Sequence, residues 1–178
     1  MRDLKVVIKG AGEMASGVAH RLYGANIRRI VMTDIERPLA VRRAVSFCEA
    51  IFEGTFTVEG VTAQLVTDPA ALQGVWMEGR IAVMVDPTWR IIREINPDVV
   101  VDAIMAKRNT GTTRQEAPLV IGVGPGFSAP HMVHAAVESN RGHNLGRVFY
   151  HGATEPHTGI PGPVMGFTTE RVLRAPCH

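Results

Sequence analysis

Leu4-Lys5-Val6-Val7-Ile8-Lys9-Gly10-Ala11-Gly12-Glu13-Met14-Ala15 opens the chain with an apolar strand that runs into a glycine turn. An apolar stripe at helical spacing follows, at Met14, Val18 and Leu22. Strand, turn and helix form the context in which a G-x-G-x-x-G/A pattern has meaning. Gly10 permits the tight turn, Gly12 lets backbone approach a phosphate, and Ala15 lets the helix pack on the sheet. The free N–H groups and positive dipole end of such a helix attract an anion. Gly10, Gly12, Glu13 and Met14 are therefore the candidate phosphate-binding residues. A second strand, Ile30-Val31-Met32-Thr33, ends in Asp34, 22 residues past Gly12, where an acid would hold ribose hydroxyls. The plainer alternative is a β–α turn that binds nothing.

Outward from that turn, strand and helix signals alternate. Pro38 suits the first turn of a helix carrying Val41, Val45, Cys48 and Phe52 and stopping at Gly54. Phe56 to Val66 reads as a hairpin around Glu59-Gly60, or as one strand with a lead-in. Asp68-Pro69 caps a short helix to about Met77, and Asp86-Pro87 opens another that Asn96-Pro97 closes. Ile81–Val85, Val99 to about Ile104, and Leu119–Val123 are buried-type strands. The last enters Gly124-Pro125-Gly126, and a helix is expected from about Pro130 to Glu138. Continuous apolar strands between helices predict an α/β fold: a Rossmann-like, doubly wound, mostly parallel sheet. Residues 1–139 form that nucleotide-binding domain. Residues 140–178 form a short β-rich C-terminal appendage around Val148-Phe149-Tyr150 and Val164-Met165-Gly166-Phe167. Such short strands need a partner, and a second copy of the chain is the expected one, giving a homo-oligomer.

Composition narrows the function classes. The 178 residues are 46% hydrophobic and 20% charged, with a net charge of +2, which gives no broad case for nucleic acid. No apolar run reaches the roughly 18 residues of a membrane helix. With two cysteines, Cys48 and Cys177, and no secretory signal, the expected location is the cytoplasm.

Further candidates lie at the expected carboxyl ends of the strands, where ligands bind in such sheets. Lys107, Arg108 and Asn109 lead into Thr110-Gly111-Thr112, a cationic loop suited to phosphate or carboxylate. The turn Gly122-Val123-Gly124-Pro125-Gly126-Phe127-Ser128 offers an anion nest at Gly124 and Gly126, with Ser128 as a helix cap. Its glycines could equally serve backbone geometry alone. His131 and His134 would share a helix face, but no metal-ligand pattern completes them, and no metal is expected. Asp86 is a candidate base that a cap role already explains, and Asp102 is expected to be buried or paired with Lys107 or Arg108. No catalytic residue is assigned.

At Lys9 to Ala19 with Thr33-Asp34-Ile35, at Asp102 to Thr112, and at Gly122 to Phe127, the chain resembles the YqeB family. Arg141 to Val148 and Thr158 to Gly162 carry the same likeness. Members are described as maturation proteins of selenium-dependent molybdenum hydroxylases. More distantly the chain is similar to the Rossmann part of XdhC-type factors, which help insert molybdenum cofactor. The resemblance implies an accessory factor that binds a nucleotide or a molybdopterin-type ligand and serves a molybdenum hydroxylase. YqeB-like chains usually continue into a further β-rich segment. Here the sequence stops at Ala175-Pro176-Cys177-His178, as in a truncated form. The alternative is an NAD(P)-dependent oxidoreductase of unknown substrate, with Asp34 favouring NAD and Arg37 able to meet the 2′-phosphate of NADP.

Overall fold

The computed structural model describes residues 3–159 and 165–167. Its centre is a nine-stranded, mostly parallel sheet in the order β10-β9-β7-β6-β1-β2-β5-β4-β3. These strands are β1 (Lys5–Lys9), β2 (Arg29–Asp34), β3 (Thr55–Val58), β4 (Val61–Leu65), β5 (Ile81–Val85), β6 (Val99–Asp102), β7 (Leu119–Val123), β9 (Ala135–Val137) and β10 (Val148–Phe149). Antiparallel pairs close both edges, β3 with β4 and β9 with β10. A two-stranded sheet pairs β8 (Ser128–Ala129) with β11 (Gly152–Ala153). The fold is Rossmann-like α/β.

The period of the strands assigns the two faces. Val6, Ile8, Ile30 and Met32 point into one core layer with Ala15 and Ala19 of α1 (Glu13–Gly24). Val7, Val31, Ala82 and Met84 point into the other. Leu72 and Val75 of α3 (Leu72–Met77) and Ile91 and Ile92 of α4 (Arg90–Ile95) cover that second face. β1 lies between β2 and β6, with the chain winding outward on each side, so the switch point of the topology is at the carboxyl ends of β1 and β6.

Two expected helices do not form. Residues 38–52 hold only two 3-10 turns before the four-residue α2 (Ala50–Glu53), and Leu39 and Val41 are more than nine-tenths exposed. The segment spends its N–H groups on α1 and the glycine turn. Arg42 N–H donates to Glu13 (2.7 Å), Phe47 N–H to Ser16 Oγ (2.8 Å) and Cys48 N–H to Ala11 O (2.9 Å). Those bonds bury Phe47 and Cys48, which an independent helix would not reach. Residues 130–138 form no helix either. His134 N–H donates to Val120 O (2.8 Å), and the small Ala135 and Ala136 continue as β9 beside β7. Tertiary pairing outweighs helical spacing at both places.

The short strands after residue 139 join the sheets of the first domain. β10 pairs with β9 and β11 with β8, so each of these two short strands has a partner strand within the chain. The buried Glu138 ties this region together: its carboxylate accepts the N–H groups of Ser139 (2.8 Å), Asn140 (2.7 Å) and Glu155 (2.7 Å). Val164 and residues 168–178, with Cys177 and His178, lie outside the described residues.

Two alanine substitutions report on this packing. Gly126 has φ +94°, and a Cβ there would stand 2.5 Å from Arg108 Cα. Gly126→Ala should destabilise by about 2 kcal/mol or more, through left-handed strain and overpacking together. Gly17 has nothing within 4 Å of its Cβ position. Gly17→Ala should stabilise by about 0.5–1 kcal/mol, so thermal melting should move the two variants in opposite directions.

Candidate functional site

The carboxyl ends of β1, β2 and β6 meet at the first glycine turn. Gly10 has φ +95°, and a Cβ there would press on Ala103 O and Ile104 Cα, both at 3.2 Å. Glycine is therefore required by the turn and by the approach of the chain leaving β6. Gly10 N–H donates to Thr33 O (2.7 Å), and Ala11 N–H donates to Asp34 Oδ2 (2.7 Å). The other carboxylate oxygen of Asp34 accepts Ile35 N–H (2.8 Å). Asp34 thus stands at the turn, where the spacing placed it, with part of its hydrogen-bonding capacity taken by backbone. Burial pushes its pKa above the usual aspartate value. It also pushes the neighbouring Cys48 thiol up to about 11.

Gly12 differs from Gly10. Its backbone is extended (φ −71°, ψ −171°), open to any residue, and a Cβ would meet only Leu39 O, at 4.0 Å. Neither conformation nor packing demands glycine there. Gly12 caps α1 with no side chain bonded to the helix end. The first N–H groups of the helix then lack intrahelical partners. Glu13, at that end, has turned its carboxylate to Arg42 N–H, which holds its pKa below the usual glutamate value. Met14 is 40% exposed beside it.

The second glycine turn is filled. A Cβ on Gly122 would fall 2.3 Å from the Phe127 ring, and one on Gly124 would stand 3.0 Å from Met105 Sδ. Gly126 is pressed by the backbone of Arg108 and Asn109. These glycines make room for protein. Ser128 caps no helix: it begins β8, opposite Ala153. In the cationic loop, Lys107 and Arg108 are exposed, whereas Asn109 is consumed internally. Its Oδ1 accepts the N–H groups of Gly111 (2.9 Å) and Thr112 (2.8 Å). His131 and His134 share no helix face, and His134 Nδ1 accepts Val120 N–H (2.9 Å). Among the described residues no group of three His, Cys, Asp or Glu could hold a metal ion.

The residue that sequence reasoning passed over is Lys9. It is fully buried at the carboxyl end of β1, in register with Asp102. Its Nζ donates to Thr112 Oγ1 (2.7 Å) and to Glu116 (2.9 Å) and lies 3.8 Å from the centre of the Trp89 ring. Thr112 Oγ1 in turn donates to Asp102 Oδ2 (2.6 Å). Asp102 is therefore linked through Thr112 to Lys9, and not to Lys107 or Arg108. Asp86 is not the N-cap expected of it, because α4 starts only at Arg90 behind Trp89, but its carboxylate still accepts Ile91 N–H (2.9 Å) in the first turn. Trp89 before that helix adopts a left-handed backbone (φ 55°), which sets the indole over the amine. The signal was present: a lysine at an inward strand position beyond Val7 needs a carboxylate partner.

These features define a Rossmann-like α/β protein with one open glycine turn. In sequence the chain is 50% identical over 171 residues to a protein of Escherichia coli strain K12 named uncharacterized protein YqeB. The match takes in 96% of this chain but only 31% of that protein, and it is consistent with the YqeB family. No family model matches the chain. No solved structure matches it. Among the described residues no helix is long and apolar enough to cross a membrane.

The Lys9 network makes a stability prediction. Lys9→Met leaves the Asp102 and Glu116 carboxylates without their cation and should cost about 3–5 kcal/mol. Adding Glu116→Gln should recover part of that loss. Burial lowers the Lys9 pKa from 10.5, so the unfolded chain holds this proton to higher pH than the native state. The Lys9 contribution should therefore raise stability with pH across the window between the lowered native value and 10.5. Urea titrations of wild type and Lys9→Met through that window would read the difference.

Proposed function

We propose that this chain is a YqeB-family accessory factor for selenium-dependent molybdenum hydroxylase maturation and that it binds a nucleotide or pterin-type phosphate ligand at the β1–α1 turn. The observation that carries the ligand is the unfilled space at Gly12. Glycine stands where the fold does not ask for it, beside a helix end without a side-chain cap, at the switch point of a parallel sheet. The maturation role is supported by the motifs shared with the YqeB family and by the extent of the likeness to the YqeB protein. A molybdenum hydroxylase is the partner this role requires, and the cytoplasm is the compartment it fits.

The ligand is best read as a nucleotide with free ribose hydroxyls. Asp34 sits 2.7 Å from Ala11 N and keeps acceptor capacity beyond its two backbone bonds. That favours NAD over NADP among dinucleotides. A nicotinamide-dependent oxidoreductase remains the second reading for the same reason. Lys107 and Arg108, exposed on the loop that follows β6, are the cations available to a further anionic group.

Calorimetric titration with NAD, NADP and ADP tests the site. Gly12→Val should reduce nucleotide affinity at least about tenfold, equivalent to about 1.4 kcal/mol, with near-native melting. Unchanged affinity in that folded variant would remove the phosphate cradle. Asp34→Ala should weaken NAD more than NADP, and equal losses would leave Asp34 a purely structural cap. Native mass spectrometry of the purified protein, followed by extraction, would separate a retained nucleotide from a retained pterin.

A further inference from the structure

We propose that the arginine-rimmed apolar groove along α1 is the docking site for an acidic amphipathic helix of a partner protein. A parallel sheet normally has both faces covered. In this chain the connections from β6 to β7 and from β7 to β9 contain no helix, so over β6, β7 and β9 no helix covers the α1 face. Val99, Val101, Ile121, Val123 and Val137 floor an apolar cavity of about 510 Å³ there, with Leu119 38% exposed at its edge. Met14, Val18 and Leu22 of α1 form one wall of that cavity. The same three residues also line a second, open groove of about 920 Å³. The two spaces therefore adjoin along one apolar stripe.

Charge selects the occupant. Arg21, Arg42 and Arg141 line the open groove, and all three are exposed. The Arg21 and Arg141 side chains make no ion pair or hydrogen bond among the described residues. The acidic groups facing these spaces are Glu13 and Glu138. Glu13 already accepts Arg42 N–H, and Glu138 is buried on three backbone donors. Two guanidinium groups are left to pair with carboxylates from outside. A two-fold contact with a second copy through this groove would set the arginine rims against one another. A helix with apolar residues at i, i+3, i+4 and i+7 and acidic residues on its flanks satisfies both the floor and the rim. This proposal stands apart from nucleotide binding, which the titrations above measure separately.

The test uses a fluorescent, designed helical peptide of about 18 residues with a leucine stripe at that spacing, flanked by glutamates. A second peptide replaces every glutamate with lysine. Fluorescence anisotropy with the full chain should show the acidic peptide binding at least tenfold more tightly than the basic one, and more weakly as salt rises. The double variant Arg21→Glu/Arg141→Glu should reverse the preference, and Leu119→Asp should weaken both peptides. Equal binding of the two peptides, or no effect of the arginine variants, would overturn the proposal. So would absence of binding in either of two settings. One is a dimer by light scattering that Leu119→Asp dissociates, which makes a second copy the occupant. The other is a monomer whose Ile121 and Val123 amides are protected from hydrogen exchange and whose acidic peptide finds no site.

Discussion

The buried amine of Lys9 is the constraint around which the carboxyl end of the parallel strands is organised. Among the described residues it is the only fully buried lysine or arginine. Placing an ammonium there is costly unless its protons find acceptors and its charge a counterpart. Thr112 and Glu116 supply them from the long connection after β6, and Trp89 supplies an aromatic face. Satisfying one strand residue therefore fixes where residues 103–118 run. That path brings Ala103 and Ile104 against Gly10, and Arg108 against Gly126. Gly10 at one turn and Gly126 at the other answer to a loop that Lys9 holds down.

The two glycine turns look alike in the sequence and are physically unlike. At Gly122, Gly124 and Gly126 the missing side chains are replaced by a phenyl ring, a thioether and a neighbouring backbone. At Gly12 nothing replaces the missing side chain except a carbonyl oxygen at ordinary contact distance. A short motif specifies a tight backbone. Whether the space above it belongs to protein or to ligand depends on segments far away in sequence. Phe127 and the Arg108 region decide it at one turn, and the 39–42 segment with its Arg42–Glu13 bond decides it at the other.

Much of the sheet was legible. The apolar runs at Val6, Ile30, Ile81, Val99 and Leu119 are strands within a residue or two of where the pattern put them, because buried parallel strands leave continuous apolar signatures. Asp34 at the turn followed from its place at the end of β2. The failures share a cause. Val41-Val45-Cys48-Phe52 and His131-His134 have helical spacing, yet their backbones bond to Glu13, Ser16, Ala11 and Val120. Local periodicity carries no information about such distant acceptors. Glu138 escaped notice for the same reason, since its partners are backbone N–H groups that no side-chain pattern reveals.

Space is open above the first glycine turn, where the proposed phosphate would sit, whereas protein fills the second. Amide chemical-shift mapping during a titration with ADP addresses both turns in a single experiment. The amides of Gly12, Glu13, Met14 and Ala15 should move together and saturate, while those of Gly124 and Gly126 stay fixed. Saturable shifts centred on Gly124 and Gly126, with Gly12 to Ala15 unmoved, would contradict the account.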